Sequence, residues 1–340
     1  MTFHPDSLPD LSGKVYIVTG ATSGMYVTSI FHRLSTLTRS RGYHTAARLA
    51  QHNAHVYICA RTPEKGATTR SRIQSTYPHA NLTILTMDHL QLSTVVAAAT
   101  SFLSLENRLD GLVNNAGIMA SPFCITDDGY EAQWQTNYLA HWVLTSHLLP
   151  LLLATSRKNK HASQVSVRIV NLSSSGHYLS APKNGINFTD TSLKHASGMT
   201  RYGQSKLANI LHIKTLHAQF GPNSPSATSG TGAGEIWVSA VHPGLVKSEL
   251  GAKAELPGLM KVLLAPYRWA GGEFDGDKGS WTSLYCVASE EMKREECGRY
   301  FQRVADPNGW QSATAKDEKL AEELEEWTKT EMVKGGWVIV

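Results

Sequence analysis

Cysteine is scarce: 340 residues carry 4, Cys59, Cys124, Cys286 and Cys297. They are too scattered for a disulfide scaffold and lack the close spacing of a metal site, so they read as reduced thiols of a cytoplasmic protein with no metal. Residues 1–14 are polar and contain proline, with no basic segment leading into an apolar run, so no secretory signal is expected. Long hydrophobic runs are missing as well. The most apolar stretch, residues 144–154, includes His147 and Pro150 and is too short to cross a bilayer, which predicts a buried helix and no membrane span. An excess of one charge is nearly absent too: the formal net charge is +4, and without Arg33, Arg39 and Arg41 of one short segment it would be +1 (4 − 3). No basic stripe with interleaved aromatics exists, which argues against a nucleic-acid partner.

What is present is a chain that is 41% hydrophobic and long enough for one substantial core. Short β-branched runs at residues 15–19, 56–59, 82–87, 112–114, 168–172 and 237–241 alternate with helical patterns at 45–52, 64–76, 92–105, 129–154 and 201–220. That rhythm predicts an α/β fold, a Rossmann-like doubly wound parallel sheet in a single domain, with residues 300–302 as a possible last strand. Residues 175–200 and 221–234 read as polar interruptions. In residues 315–334, Leu320, Leu324, Trp327 and Met332 recur at helical intervals, predicting a C-terminal helix packed by one face.

The first strand runs into Thr19-Gly20-Ala21-Thr22-Ser23-Gly24-Met25, small residues where a nucleotide-binding βα unit needs backbone close to phosphate. After the second strand, where an acid would bind the ribose hydroxyl of NAD, stands Arg61. Its planar cation suits a 2′-phosphate and favours NADP, the alternative being a solvated arginine at a loop entrance. Tyr202 and Lys206 are four residues apart and share one helix face. A phenol is a poor proton relay at neutral pH, and a neighbouring ammonium favours its ionised form, so this pair suits acid–base work on a carbonyl or alcohol.

Taken in order, the Thr-Gly-(three residues)-Gly turn, Asp88, Asn114-Asn115-Ala116-Gly117, Asn137, Ser174, Tyr202-Gly203-Gln204-Ser205-Lys206 and Pro243-Gly244 resemble the short-chain dehydrogenase/reductase family over most of the chain. The resemblance implies cofactor contacts from Gly20, Ser23, Gly24, Met25, Tyr202 and Lys206. It also implies that Asp88 meets the adenine, that Asn114 lies along the cofactor, and that Val246 and Ser248 meet the nicotinamide carboxamide or the pyrophosphate. The family usually has threonine where Ser248 stands; a serine hydroxyl makes the same bond. The resemblance picks Ser174 to hold the substrate oxygen, where the residues alone leave Ser173 and Ser175 open, and assigns Asn137 to a water beside the lysine. The 28 residues from Ser174 to Tyr202 (202 − 174) resemble the retinol-dehydrogenase-like and WW-domain-oxidoreductase-like branch.

One segment looks foreign. Residues 26–41 put Tyr26 where the family has its last glycine, and removing them joins Met25 to Gly42 and restores a Gly-x-Gly ending. The 16 residues back-translate as an unspliced intron of 48 nucleotides (16 × 3), a pattern that fits a fungal gene. The expectation is therefore an NADP-dependent oxidoreductase acting on a small carbonyl or alcohol, of apolar or secondary-metabolite type. The alternative is a non-catalytic nucleotide-sensing or interaction protein, if the insertion disables the turn. Residues 250–274 read equally as an apolar lid or as a helix completing the core.

Overall fold

The computed structural model describes residues 3–22, 40–161, 167–228, 234–246 and 274–338. Seven strands, β1 (Val15–Val18), β2 (His55–Ala60), β3 (Asn81–Thr86), β4 (Gly111–Asn114), β5 (Val167–Leu172), β6 (Ile236–His242) and β7 (Tyr300–Gln302), pair in the order β3-β2-β1-β4-β5-β6-β7. Every pairing is parallel. β1, β4 and β5 are buried along their whole lengths, as expected of central strands covered on both faces.

The covering helices form two layers. α1 (Arg41–Gln51), α2 (Pro63–Thr76) and α9 (Trp281–Ala288) enclose one core, in which Leu49, Ile73 and Leu284 meet Val18, Ile58 and Val170. On the other face lie α3 (Leu92–Leu105), α4 (Ala132–Trp134), a π-turn at Gln135–Leu139, α5 (Ala140–His161) and α7 (Gly198–Phe220). There Phe102, Leu144 and Leu211 meet Ile17, Leu112 and Ile169. α6 (Gly176–Leu179) follows β5, and α8 (Pro225–Thr228) sits in the second polar interruption. α10 (Ala313–Lys316) and α11 (Glu318–Lys334) end the fold, with Leu320, Leu324 and Met332 of α11 in the same core.

The differences from expectation are local. The C-terminal helix is divided because Asp317 is extended (ψ 110) and caps α11 through its carboxylate. α1 starts four residues earlier than the hydrophobic pattern suggests, because the Ser40 hydroxyl accepts from the Tyr43 amide as its cap. Arg41 is thus the first residue of α1, while 26–39, the bulk of the expected insertion, lie outside the described residues. So do Ser23, Gly24, Met25, Ser248 and residues 250–273. The stretch 144–154 belongs to a longer helical run, Ala132–Asn159, which is apolar and long enough to cross a membrane by length and composition. Most of it is buried against the sheet, which is how a core helix satisfies the same test.

Candidate active site

The carboxyl ends of β1, β4 and β5 converge on one cleft. Gly20 takes φ +68, and a Cβ there would stand 2.8 Å from Ala116 Cα. A Cβ at Gly42 would stand 2.4 Å from Asn115 Nδ2 and 2.7 Å from the Gly20 carbonyl oxygen. The amino end of α1 therefore presses on the turn after β1 only because position 42 has no side chain. Around this cradle Thr19 is a hub: its hydroxyl accepts from the amides of Asn115 (2.8 Å) and Ala116 (2.9 Å), and Asn115 Nδ2 donates to the Thr19 carbonyl at 2.7 Å.

The hub reaches the catalytic side through His141, which the sequence reading did not single out. Its Nδ1 lies 3.1 Å from the Asn137 carbonyl, so Nδ1 carries the proton, leaving Nε2 to accept from the Thr19 hydroxyl at 2.9 Å. Burial holds this ring neutral, well below the ordinary histidine range. Asn137 sits inside the π-turn, where the amide of Ala140 reaches back five residues to Gln135. Single π-turns inside helices recur at functional positions. The Asn137 side chain is fully engaged: Oδ1 accepts from the Ile118 amide (2.8 Å), while Nδ2 donates to the Ile118 carbonyl (2.9 Å) and to Ser205 Oγ (2.9 Å).

Tyr202 and Lys206 lie on the buried face of α7, one turn apart. Arg201 anchors that helix end: it pairs with buried Glu131 at 3.1 Å and donates to the carbonyls of Ala196 (2.6 Å) and Ser121 (3.0 Å). Lys206 Nζ lies 5.7 Å from the Tyr202 ring centre and donates to the Leu172 carbonyl at 2.8 Å. A Cβ on Gly117 would fall 3.0 Å from Asn137 Oδ1 and 3.5 Å from Lys206 Nζ, so these three residues meet. Burial pushes the Lys206 ammonium down to about 7, with the nearby Arg41 cation acting in the same direction.

Ser174 follows β5 and stands beside Tyr202, close enough for its hydroxyl to favour the ionised phenol. Gly176 lets the two approach: a Cβ there would stand 2.9 Å from Tyr202 Cε1 and 3.6 Å from Ser174 Oγ. Ser173, by contrast, is buried and donates to the Lys206 carbonyl at 2.7 Å, which ties β5 to α7. The structure thus separates the serines that the sequence left open. The expected lowering of the phenol by the ammonium is not the dominant effect: burial raises Tyr202, while the Ser174 hydroxyl and Arg41 oppose the rise.

The remaining expected residues are spread along the same edge. Arg61 is exposed just past β2 and makes no ion pair among the described residues. Asp88, past β3, accepts from the Leu90 amide at 3.0 Å, leaving its other oxygen unassigned among the described residues. The Asn114 side chain turns inward, donating to Thr145 (3.1 Å) and Asn171 (2.8 Å), so it ties β4 to β5. Val246 pairs with Phe274 in an isolated bridge and packs where a side chain on Gly279 would collide with it at 2.7 Å. Gly20 and Gly42 form a cradle that a Cβ would fill, and Arg61 offers an unpaired cation at one end, so the residues present fit a phosphorylated dinucleotide.

The model of the short chain dehydrogenase family matches residues 37–187. The chain is 43% identical to the short-chain dehydrogenase/reductase drtF of Aspergillus calidoustus over 97% of both chains. It is 35% identical to an uncharacterised oxidoreductase of Schizosaccharomyces pombe (95% of this chain, 86% of that one), and 32% identical to human retinol dehydrogenase 12 (92% and 84%). Among solved structures, a Mycobacterium paratuberculosis protein matches with a TM-score of 0.68 at 24% identity over 98% of both chains. Pseudomonas aeruginosa RhlG in its NADP active-site complex matches with a TM-score of 0.59 at 21% identity, over 88% of this chain and 97% of that one.

Proposed function

The chain belongs to the short-chain dehydrogenase/reductase family, and on that premise we propose that it is an NADP-dependent oxidoreductase interconverting a carbonyl and an alcohol. The observation that carries the reading is the juxtaposition of Ser174 and Tyr202 across Gly176, with Lys206 one turn along α7, beside the glycine cradle. With the phosphates of a dinucleotide held in that cradle, its nicotinamide would supply or accept the hydride. The Ser174 hydroxyl is placed to hold the substrate oxygen. Tyr202 donates its proton to that oxygen as charge develops on it, or takes a proton from an alcohol in reverse. Lys206 stabilises the ionised phenol that results, and Asn137 braces the lysine's surroundings through Ile118 and Ser205.

Arg61 supports NADP over NAD, because an exposed guanidinium just past β2, with no ion pair among the described residues, matches a 2′-phosphate. Exposed Leu179, Leu245 and Trp310 flank the carboxyl ends of β5 to β7 and support an apolar, secondary-metabolite type of substrate. The thiols of Cys59, Cys124, Cys286 and Cys297 are all free, which suits a cytoplasmic location. We also read residues 26–41 as an insertion. The family match starts at residue 37, and Gly42 occupies the close-packed glycine position.

Fluorescence titration with NADPH and NADH, followed by a carbonyl screen, tests the reading. NADPH should bind more tightly, Arg61→Ala should erase the difference, and Tyr202→Phe should remove turnover while leaving the fold intact. Binding with no turnover on any carbonyl would favour a nucleotide sensor. The insertion is tested by transcript sequencing across its ends and by NADPH titration of a chain lacking residues 26–41, which should bind more tightly.

A further inference from the structure

His177 lies outside the catalytic group, yet its ring closes directly on the Ser174 main chain. Its Nδ1 stands 2.6 Å from the Ser174 carbonyl oxygen, and its backbone amide donates to the same oxygen at 3.1 Å. Both lone pairs of that carbonyl are therefore taken by one residue. A carbonyl only accepts, so Nδ1 must carry the proton and the ring is held in one tautomer. Its Nε2 is buried with no hydrogen-bond partner among the described residues.

The ring is also clamped mechanically. Tyr178 and Tyr300 meet it edge-on, with ring centres at 4.8 and 4.9 Å, and Trp310 packs on Tyr178 at 4.3 Å. Tyr300 belongs to β7 and is almost wholly buried, so the clamp is rooted in the sheet. α6 has no side-chain cap at Ser175; the imidazole, two residues on, instead donates back to the Ser174 carbonyl. On the far side of Ser174, its Oγ accepts from the Gly176 amide at 3.1 Å. The serine main chain and side chain are thus pinned by residues 176 and 177 together, and Tyr202 packs directly on Gly176.

We propose that His177 is a positioning residue for the Ser174–Tyr202 pair: its Nδ1–H locks the Ser174 carbonyl and so sets the serine hydroxyl against the tyrosine hydroxyl. This rests on the oxidoreductase reading only in supposing that the pair is the working one. The Nδ1–H that the bond requires is present in the neutral Nδ1–H tautomer and in the imidazolium alike; burial, which brings His177 down to about 4, keeps the ring neutral. Asparagine can reproduce the role, because its Nδ2 stands close to the position of the imidazole Nδ1; glutamine places its amide farther out.

The test uses the full chain labelled at tyrosine Cζ and at histidine nitrogens, observed by NMR without cofactor or substrate. The Tyr202 resonance is assigned by its loss in Tyr202→Phe. Moving the serine hydroxyl away from Tyr202 should raise the Tyr202 titration midpoint, so His177→Gln is expected to shift it upward by about one unit, and His177→Asn to restore it to within a few tenths. In the parent chain His177 should be the Nδ1–H tautomer throughout the neutral range. An Nε2–H tautomer, or equal midpoints in all three proteins, would overturn the proposal even if neither variant were stable enough for kinetics. With 4-nitrobenzaldehyde and NADPH, kcat should fall about ten-fold in His177→Gln and recover in His177→Asn, with KM for the aldehyde changing less than kcat. A failure to bind NADPH would count against the oxidoreductase reading alone, since the tyrosine and histidine measurements need no cofactor.

Discussion

The absence of a single methyl group at Gly42 decides whether α1 can seat on the turn after β1. A Cβ would fall 2.4 Å from Asn115 Nδ2 and 2.7 Å from the Gly20 carbonyl oxygen, and the second of these is backbone that cannot swing away. Gly42→Ala must therefore push α1 off the turn. Overpacking of this kind costs about 1–3 kcal/mol, and it opens the cradle where phosphate would lie. The expected outcome is a lower Tm together with NADPH affinity weakened by at least about ten-fold. Differential scanning fluorimetry and fluorescence titration measure the two, and unchanged NADPH binding would remove Gly42 from the cofactor site. Gly129→Ala serves as the comparison: Gly129, unlike Gly42, has a positive φ, and nothing stands within 4 Å of its Cβ position, so only the strain of its backbone is tested.

Among the elements, α11 does the most for the catalytic side. It lies along α7, the helix that carries Tyr202 and Lys206, with Leu320, Leu324 and Met332 buried. Polar contacts fix its register: Trp142 Nε1 donates to Glu325 at 2.9 Å, and the Tyr138 and Thr328 hydroxyls pair at 2.7 Å. Burying one such aliphatic side chain stabilises by roughly 1.5–3 kcal/mol. Three of them together rival the total stability of an ordinary domain, about 5–15 kcal/mol. A chain ending at Ser312 should therefore fail to give a cooperative thermal transition in circular dichroism. The milder change Thr328→Val removes one buried hydroxyl partner of Tyr138 and should cost about 1–2 kcal/mol, read as a reduced urea midpoint. A truncated chain that melts as sharply as the parent would show that α7 holds its place without α11.

At the scale of the whole molecule, buried imidazoles set the response to acid. Burial holds His89, His177 and His242 down to about 4 and His212 to about 3, against an ordinary 6.5. The unfolded chain therefore binds more protons than the folded one between those values. The stabilisation is complete above 6.5 and is lost as pH falls through 4, with each unit of depression worth about 1.4 kcal/mol per group. The expected result is a Tm that is flat near neutrality and falls steadily from about pH 6.5 to about pH 4.5. Resonances of His89, His177, His212 or His242 that titrate near 6.5 in the folded protein, or a Tm unchanged over that range, would contradict the neutral buried assignment. Catalytic assays run below that range would confuse loss of fold with loss of chemistry.

Composition and periodicity alone determined the architecture: the seven strands appear where β-branched runs alternate with helical patterns, because two-sided burial selects those residues. α3 (Leu92–Leu105) and β7 (Tyr300–Gln302) have the bounds their patterns predict. The spacing of Tyr202 and Lys206 placed them on one helix face, since 3.6 residues per turn is a local property. What only the tertiary structure decided depends on groups distant in sequence. Ser174 is distinguished from Ser173 by which of them faces Tyr202 and which faces the Lys206 carbonyl. The direction of the Tyr202 shift was likewise hidden, because desolvation depends on the whole packed environment whereas a neighbouring ammonium can be read four residues away. His141 and His177 gave no local signal, and although Thr19 and Asn115 stand in the quoted motifs, their bonds to each other and to His141 arise only when β1, β4 and the π-turn come together. A hydrogen-bond network between strand ends is made by contacts across the fold, and a linear pattern records only what lies within a turn or a strand.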